Sequence, residues 1–248
     1  MTLISRVVTV LLLAAATFSH AQDDLRPPLR ILVYGATGNV GTHVVDEALA
    51  RGHVVTAVSR DPSRIGQRHE NLTAVTGDLL DRHSIADLVD EKDVVIVSVR
   101  GVIGDNRPEN ALQLIAVRSV VEQLRASGAG AARLIHVGGS GTLVVEPGVL
   151  WADKIPKLFV PKFLETEIQG QILALEYLRG VTDVEWSYAT PAKNFTDGPR
   201  TGDFRIGGDE VLEDDRGKSR ISRADFAVAL LDEAELERHT GKRFSVAY

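Results

Sequence analysis

The residues best suited to chemistry lie in the stretch VYGATGNVG, Val33 to Gly41, where glycines recur at Gly35, Gly38 and Gly41. An apolar run precedes the stretch and a helical pattern follows it. In that setting the first glycine permits a tight turn off a strand. The second lets backbone approach a pyrophosphate, and the third lets a helix pack close to a sheet. Phosphate oxygens would accept hydrogen bonds from the free N–H groups at the helix N-terminus and gain from its dipole. The end of the second strand pattern offers Ser59 and Arg60, with Arg64 close behind, where an NAD binder usually places Asp or Glu. A guanidinium there can fork onto a 2′-phosphate, so the expected guest is NADP(H) in preference to NAD(H). A solvated surface arginine is the plain alternative.

These residues need elements to hold them. Leu29 to Tyr34 reads as a buried strand, and Val40, Val44, Val45, Ala48 and Leu49 recur at helical spacing until Gly52. Strands follow at Val54 to Ser59, Leu72 to Thr76, Asp93 to Val99 and Leu134 to Val137. Between them, Asp81 can cap a helix holding Ile85, Leu88 and Val89, and a second helix covers Pro108 to Ala126. This alternation predicts an α/β fold: a Rossmann-type, doubly wound parallel sheet in three α/β/α layers. Right-handed crossovers then bring GATGNVG, Ser59-Arg60, Gly77-Asp78, Ser98-Val99-Arg100 and Gly138-Gly139-Ser140 to one crevice beyond the carboxyl strand ends.

Further on, Phe163 to Arg179 reads as a helix with the apolar stripe Leu164, Ile168, Ile172, Leu175 and Leu178. Val184 to Tyr188 reads as a strand, Thr190-Pro191 as a turn, and Asp197 to Gly217 as hairpin-like material. Ser222 to Asp225 resembles a capping box opening a helix to Glu237, and Phe244 to Ala247 a last strand. No internal repeat or second core shows, so residues 30–248 are expected to form one domain.

Composition narrows the classes. The chain has 248 residues and a formal charge of −6, without the basic face of a nucleic-acid binder. It has no cysteine, which excludes disulfides, thiolate metal sites and a cysteine nucleophile. No His/Asp/Glu group has metal-ligand spacing, so no metal is expected. The opening MTLISRVVTVLLLAAATFSHA has the order of a secretory signal cut after Ala21, followed by a polar linker over 22–29. Its apolar run is too short for a comfortable membrane span. The expectation is therefore an exported protein without a span after cleavage. An uncleaved anchor, or a start placed ahead of a cytoplasmic protein, is the alternative.

GATGNVG, VSRDPSR, TGDLLD, VVIVSV and LIHVGGSG, in this order, resemble the atypical short-chain dehydrogenase/reductase superfamily, nearest its NAD(P)H-binding, NmrA-like and flavin-reductase-like members. The resemblance covers about Arg30 to Tyr248, including the PAKNF turn and the SRISRADFAVALLDE helix. It implies that Thr37, Gly38, Asn39 and Val40 line the pyrophosphate and Arg60 the 2′-phosphate. Asp78 and Leu79 would flank the adenine, though Asp78 could instead cap a turn. Ser98, Val99 and Arg100 would follow the ribose, and Gly138, Gly139 and Ser140 the nicotinamide side. Ser140 holds the place of the family's active-site serine, where it could hydrogen-bond a carbonyl or merely satisfy a glycine-rich turn.

One departure matters. Dehydrogenases of this superfamily use a Tyr with a Lys four residues on, which lowers the phenol pKa for proton exchange. Here Tyr177 is followed at that spacing by Val181, and Tyr188 by Ala192. Hydride transfer to a stacked flavin or quinone needs less proton-transfer help, which points to such an acceptor or to no catalysis. A non-catalytic NADP(H)-binding sensor is the competing expectation, and a sugar epimerase or dehydratase ranks last. Lys162 could lend a charge to the pocket. Trp151, Phe159 and Phe163 could form an apolar lid or simply pack under a loop, while His136 reads as a satisfied core histidine and His43 as a first-turn helix residue.

Overall fold

A computed structural model describes residues 27–128, 130–156, 158 and 160–248. The expected signal peptide, most of the linker and Phe159 lie outside the described residues. Strand β1 (Arg30–Tyr34) alternates its side chains between two cores. Ile31 and Val33 pack with Val44, Val45, Phe226 and Leu230, beneath helices α1 (Gly41–Ala50) and α6 (Arg223–Leu236). Leu32 and Tyr34 face the other way, onto α2 (Arg82–Val89), α3 (Leu112–Ser127) and α5 (Lys162–Arg179). A strand buried on both faces needs apolar residues at every position, which explains the unbroken run in β1.

The chain continues through β2 (Val54–Ser59), β3 (Leu72–Thr76), β4 (Val94–Val97) and β5 (Arg133–Val137). A small ribbon of β6 (Val144–Glu146) and β7 (Val149–Leu150) leads into the one-turn helix α4 (Trp151–Lys154). After α5 come β8 (Trp186–Pro191), β9 (Asn194–Thr196), β10 (Arg205–Gly207), β11 (Arg220–Ser222) and, beyond α6, β12 (Lys242–Ala247). The main sheet runs in the order β10-β12-β8-β5-β4-β1-β2-β3, parallel except for β10. This is the expected doubly wound three-layer α/β/α arrangement. Tyr34 stands beside Val58 and Val97, and Val97 beside His136, so the strands end together along one edge.

Some local expectations change. Thr190-Pro191 is not a turn but the end of β8, where Pro191 pairs with Val246 of β12. β5 has already ended beside Ala189, so only one neighbour runs there, an edge position where proline is tolerated. The stretch 197–217 forms no hairpin of its own: β10 pairs with β12, and β9 with β11. The expected Pro108–Ala126 helix is split at Ala111, which forms an extended bridge with Val102, so that α3 begins at Leu112.

At the start of α6 Ser222 Oγ accepts the Asp225 N–H at 3.0 Å, one half of a capping box. The Asp225 carboxylate turns away instead, accepting from Thr201 N–H, Gly202 N–H, Thr201 Oγ1 and Tyr248 OH. The apolar stripe expected on α5 also shifts. Leu175 and Leu178 are buried, but Leu164, Ile168 and Ile172 are half-buried, and the deepest face carries Thr166, Glu167, Gly170, Gln171 and Ala174. In its first half the helix therefore turns polar and small residues toward the strand ends.

Candidate functional site

The loop between β1 and α1 is shaped by two close backbone approaches. Gly35 has φ +79°, and a Cβ there would lie 2.1 Å from the Ser98 carbonyl oxygen at the end of β4. A Cβ on Gly41 would lie 2.1 Å from the Gly35 carbonyl oxygen, so the helix starts hard against the strand exit. Thr42 Oγ1 ties the loop down by donating to the carbonyls of Ala36 at 3.2 Å and Gly38 at 2.9 Å. Gly38 N–H is spent on the Gly35 carbonyl at 2.9 Å. The N–H groups of Thr37, Asn39, Val40 and Gly41 donate to nothing among the described residues. Val40 offers no side-chain cap, and the first turn of α1 has no acidic residue. Unspent donors at the positive end of a helix form a site for an anion, and this cradle fits a pyrophosphate.

At the end of β2, Ser59 Oγ accepts from Asp61 N–H, and Asp61 caps the short turn Pro62–Arg64 by accepting from Ser63 N–H. Arg60 and Arg64 are exposed, and their side chains make no hydrogen bond or ion pair among the described residues. Beyond β3, Asp78 Oδ1 accepts the Leu80 N–H at 2.9 Å, the turn-closing role. Asp81 caps α2 as expected, accepting from His83 N–H. The Leu79 side chain is only 5 % exposed and packs in the core with Ile85 and Val89, so it is committed there rather than open to a ligand.

Ser98 continues β4 by donating its N–H to the Tyr34 carbonyl, and Val99 packs half-buried against the second core. The Arg100 side chain turns to α5: its Nη2 donates to Glu167 Oε2 at 2.6 Å and its Nε to Oε1 at 3.4 Å. At the end of β5, Gly138 N–H donates to the Ala189 carbonyl. A Cβ at Gly138 would meet the Tyr188 ring at 2.1 Å, and one at Gly139 would touch Gln171 Cγ at 3.5 Å. Ser140 opens the turn Ser140–Thr142 half-buried, with its hydroxyl unpaired among the described residues.

Behind these glycines lies a buried polar group. Tyr188 OH donates to Gln171 Oε1 at 2.8 Å, and the His136 Nε2 stands 3.4 Å from the same oxygen. His136 is fully buried as the sequence implied, but only half satisfied, because its Nδ1 has no partner among the described residues. Burial pushes the imidazole down to about 4, so it is neutral at pH 7 and shares Gln171 as an Nε2–H donor. Burial likewise raises the phenols of Tyr34 and Tyr188 above their ordinary value. Both side chains are buried in the second core, which keeps their phenols from the crevice.

Two later segments meet beside Ser140. Trp151 N–H donates to the Leu143 carbonyl at 2.7 Å, and Lys193 Nζ sits 4.7 Å from the centre of the Trp151 ring. Lys193 also pairs with Glu213. Lys162, by contrast, is exposed and pairs with Glu165 on its own helix. Phe163 is exposed as well. His43 stands 3.9 Å from Asp197 on the outer side of α1.

Sequence reasoning missed Glu167 and Gln171, and reached Lys193 only as part of the PAKNF turn. The apolar stripe drew the reading of α5 to its other face, and the legible signal for Glu167 and Gln171 was their i, i+4 spacing with Gly170 between. A polar hollow of about 550 Å³ lies at the opposite edge, among Arg30, Asp93 and Arg133, away from this constellation. Among the described residues no His/Asp/Glu cluster could hold a metal, and no helix is long and apolar enough to cross a membrane.

A doubly wound parallel sheet whose first strand passes through a glycine loop into a helix defines a Rossmann-type nucleotide-binding fold. The profile of the NAD(P)H-binding family matches residues 35–235, and the chain belongs to that family. The YwnB protein of Bacillus subtilis is 30 % identical over 223 residues, covering 88 % of this chain and 98 % of its own. The crystal structure of a candidate exported protein from Burkholderia pseudomallei is 33 % identical, with TM-score 0.74, covering 89 % of this chain and all of the other, 100 %. A protein described as a candidate NADH-flavin reductase from Streptococcus pneumoniae is 28 % identical, with TM-score 0.66, over 88 % and 99 % of the two chains.

Proposed function

We propose that the protein is an NADP(H)-dependent reductase that passes hydride to a planar acceptor such as a flavin or quinone. The observation that carries this reading is the cradle at Gly35–Gly41, with four unspent N–H groups at the start of α1. Thr37, Gly38, Asn39, Val40 and Gly41 hold the pyrophosphate. Arg60, exposed and unpaired, takes the 2′-phosphate, with Arg64 beside it. Asp78 and the backbone at Leu79 border the adenine, Ser98 and Val99 the ribose, and Gly138 and Gly139 the nicotinamide side. When bound, the dinucleotide supplies the hydride. The chain's residues position the reactants and exclude water.

Ser140, with its hydroxyl unpaired, donates a hydrogen bond to an oxygen of the acceptor. Trp151 and Lys193 close the far side of the pocket. Neither Tyr34 nor Tyr188 serves as proton donor, since they are 2 % and 0 % exposed. The likeness to the Streptococcus protein described as a candidate NADH-flavin reductase supports a flavin-type acceptor, and the likeness to the candidate exported protein of Burkholderia supports export of the mature chain, residues 30–248 forming its cofactor-binding domain. The test is to mix purified mature protein with NADPH and follow nicotinamide absorbance against flavins, quinones and aldehydes. Binding without turnover on any acceptor would overturn the reductase reading.

The sealed tyrosines also favour a second reading, an NADP(H)-binding sensor without chemistry. It predicts binding of both NADPH and NADP⁺, no turnover, and a partner whose affinity changes with the cofactor.

A further inference from the structure

Among the buried polar residues of helix α5, Glu167 and Gln171 stand one turn apart on the face that meets the strand ends. Gln171 is accounted for: its amide oxygen receives Tyr188 OH, and its stem packs under Gly139. Glu167 is different. Its only hydrogen-bond partner among the described residues is Arg100. The Glu167 side chain is 8 % exposed and that of Arg100 is 69 % exposed.

The pair is lopsided in a way that a simple strut between β4 and α5 does not require. Burying a carboxylate is costly, and a strut could sit wholly in the core or wholly in water. Here the anchor is buried and the guanidinium is held at the carboxyl edge of the sheet. Two of its N–H groups go to Glu167, and the others donate to nothing among the described residues. The anchor also sits one helical turn from the residue that packs on Gly139, next to Ser140. That places it toward the β5 end of the crevice, away from Arg60 and Asp78 at the ends of β2 and β3.

We infer that Arg100, held in place by Glu167, receives the electron-rich carbonyl edge of the acceptor and thereby sets which acceptors are reduced. The inference deepens the reductase reading and rests on it. A hydride carries two electrons and one proton from NADPH, leaving NADP⁺. The reduced flavin or quinone then bears one added negative charge until it takes a proton from solvent. In both acceptors that charge spreads onto a carbonyl. A planar guanidinium with parallel donors suits such an edge, and an ammonium point charge suits it less well. Arg100 touches the acceptor, whereas Glu167 is a positioning residue. The Arg100 side chain is turned onto Glu167 of α5, which leaves the ribose border to Ser98 and Val99 and frees cofactor affinity from that side chain.

The test compares the full mature chain with Arg100→Met, Arg100→Lys and Glu167→Gln in four measurements. These are NADPH affinity by nicotinamide fluorescence, FMN affinity by flavin fluorescence quenching under saturating NADP⁺, steady-state KM and kcat with FMN and menadione, and the thermal midpoint. Arg100→Met should weaken FMN binding by about tenfold or more and raise both acceptor KM values, with NADPH affinity within about twofold of wild type. Arg100→Lys should recover part of the loss, and Glu167→Gln should fall between them. Parallel loss of NADPH and acceptor would make Arg100 a cofactor contact and overturn the inference. A lower thermal midpoint with unchanged acceptor KM would make the pair a strut and also overturn it. A wild-type chain that binds NADPH, quenches no FMN fluorescence and reduces neither acceptor would end the reductase reading itself. That failure shows before any substitution is made, so the two are told apart.

Discussion

A methyl group placed on Gly41 would stand 2.1 Å from the carbonyl oxygen of Gly35, and every atom it meets closely belongs to backbone rather than to a flexible side chain. Gly41→Ala should therefore push α1 off the β1 exit. We expect a destabilisation of about 1–3 kcal/mol and a clear loss of NADPH affinity. Gly66→Ala is the control, because nothing lies within 4 Å of a Cβ there. Thermal unfolding and nicotinamide fluorescence read both effects; a Gly41→Ala chain that matches wild type in both would show that the loop yields freely.

Arg60 and the cofactor's 2′-phosphate form the second case. Arg60 has no partner to lose among the described residues, so removing it leaves no orphaned group in the free protein. Arg60→Ala should weaken NADPH by roughly tenfold or more, the worth of a charge-assisted pair of about 1.5–3 kcal/mol, and leave NADH nearly unchanged. Titration with each dinucleotide decides it, and equal losses for both would refute the phosphate assignment.

How legible this site was depended on which residues speak through local pattern. Gly35 and Gly41 are local signals, because a strand, a tight turn and a helix start leave a fixed glycine spacing. Arg60 is legible because it follows a strand whose end can be located by β-branched runs. Glu167 and Gln171 were hidden for the opposite reason. Their neighbours Ile168 and Ile172 supplied a plausible apolar stripe, and only tertiary packing shows that in the first half of α5 the polar face is the one turned inward. Thr190-Pro191 misled for a similar reason, since proline reads as a turn unless one knows that the neighbouring strand has already stopped. The pairing of β10 with β12 links residues far apart in sequence, which no local pattern records.

His136 makes stability depend on pH. Its folded-state pKa is about 4, lowered by burial, against 6.5 in the unfolded chain. Between those values the unfolded state binds more protons, so stability rises with pH across that window. The contribution is complete above about pH 6.5 and is lost as pH falls toward 4, reaching about 3 kcal/mol at most. Urea unfolding of wild type and His136→Gln at pH 7.5, 5.5 and 4.5, values chosen to span about the full window, should show a shallower slope for the variant. Equal slopes would mean that water or a proton reaches Nδ1.

Tyr188 and Gln171 supply the last test, because they separate this chain from a phenol-dependent dehydrogenase. The Tyr188 hydroxyl is spent on Gln171, and the ring lies against Gly138, wholly shielded from the crevice. A group that cannot meet substrate cannot pass it a proton. Tyr188→Phe should therefore lower stability by about 1 kcal/mol through the lost hydrogen bond, while kcat for NADPH oxidation stays within about twofold of wild type. Tyr177→Phe, whose ring lies under Arg118 of α3 and whose hydroxyl accepts from Arg125, should behave likewise. In a dehydrogenase that relied on either phenol, removing it would take away a proton-transfer contribution of about a hundredfold or more. A drop of that size in kcat from Tyr188→Phe, with folding intact, would mean that the β5 glycine segment opens during turnover and exposes the phenol to the reacting groups.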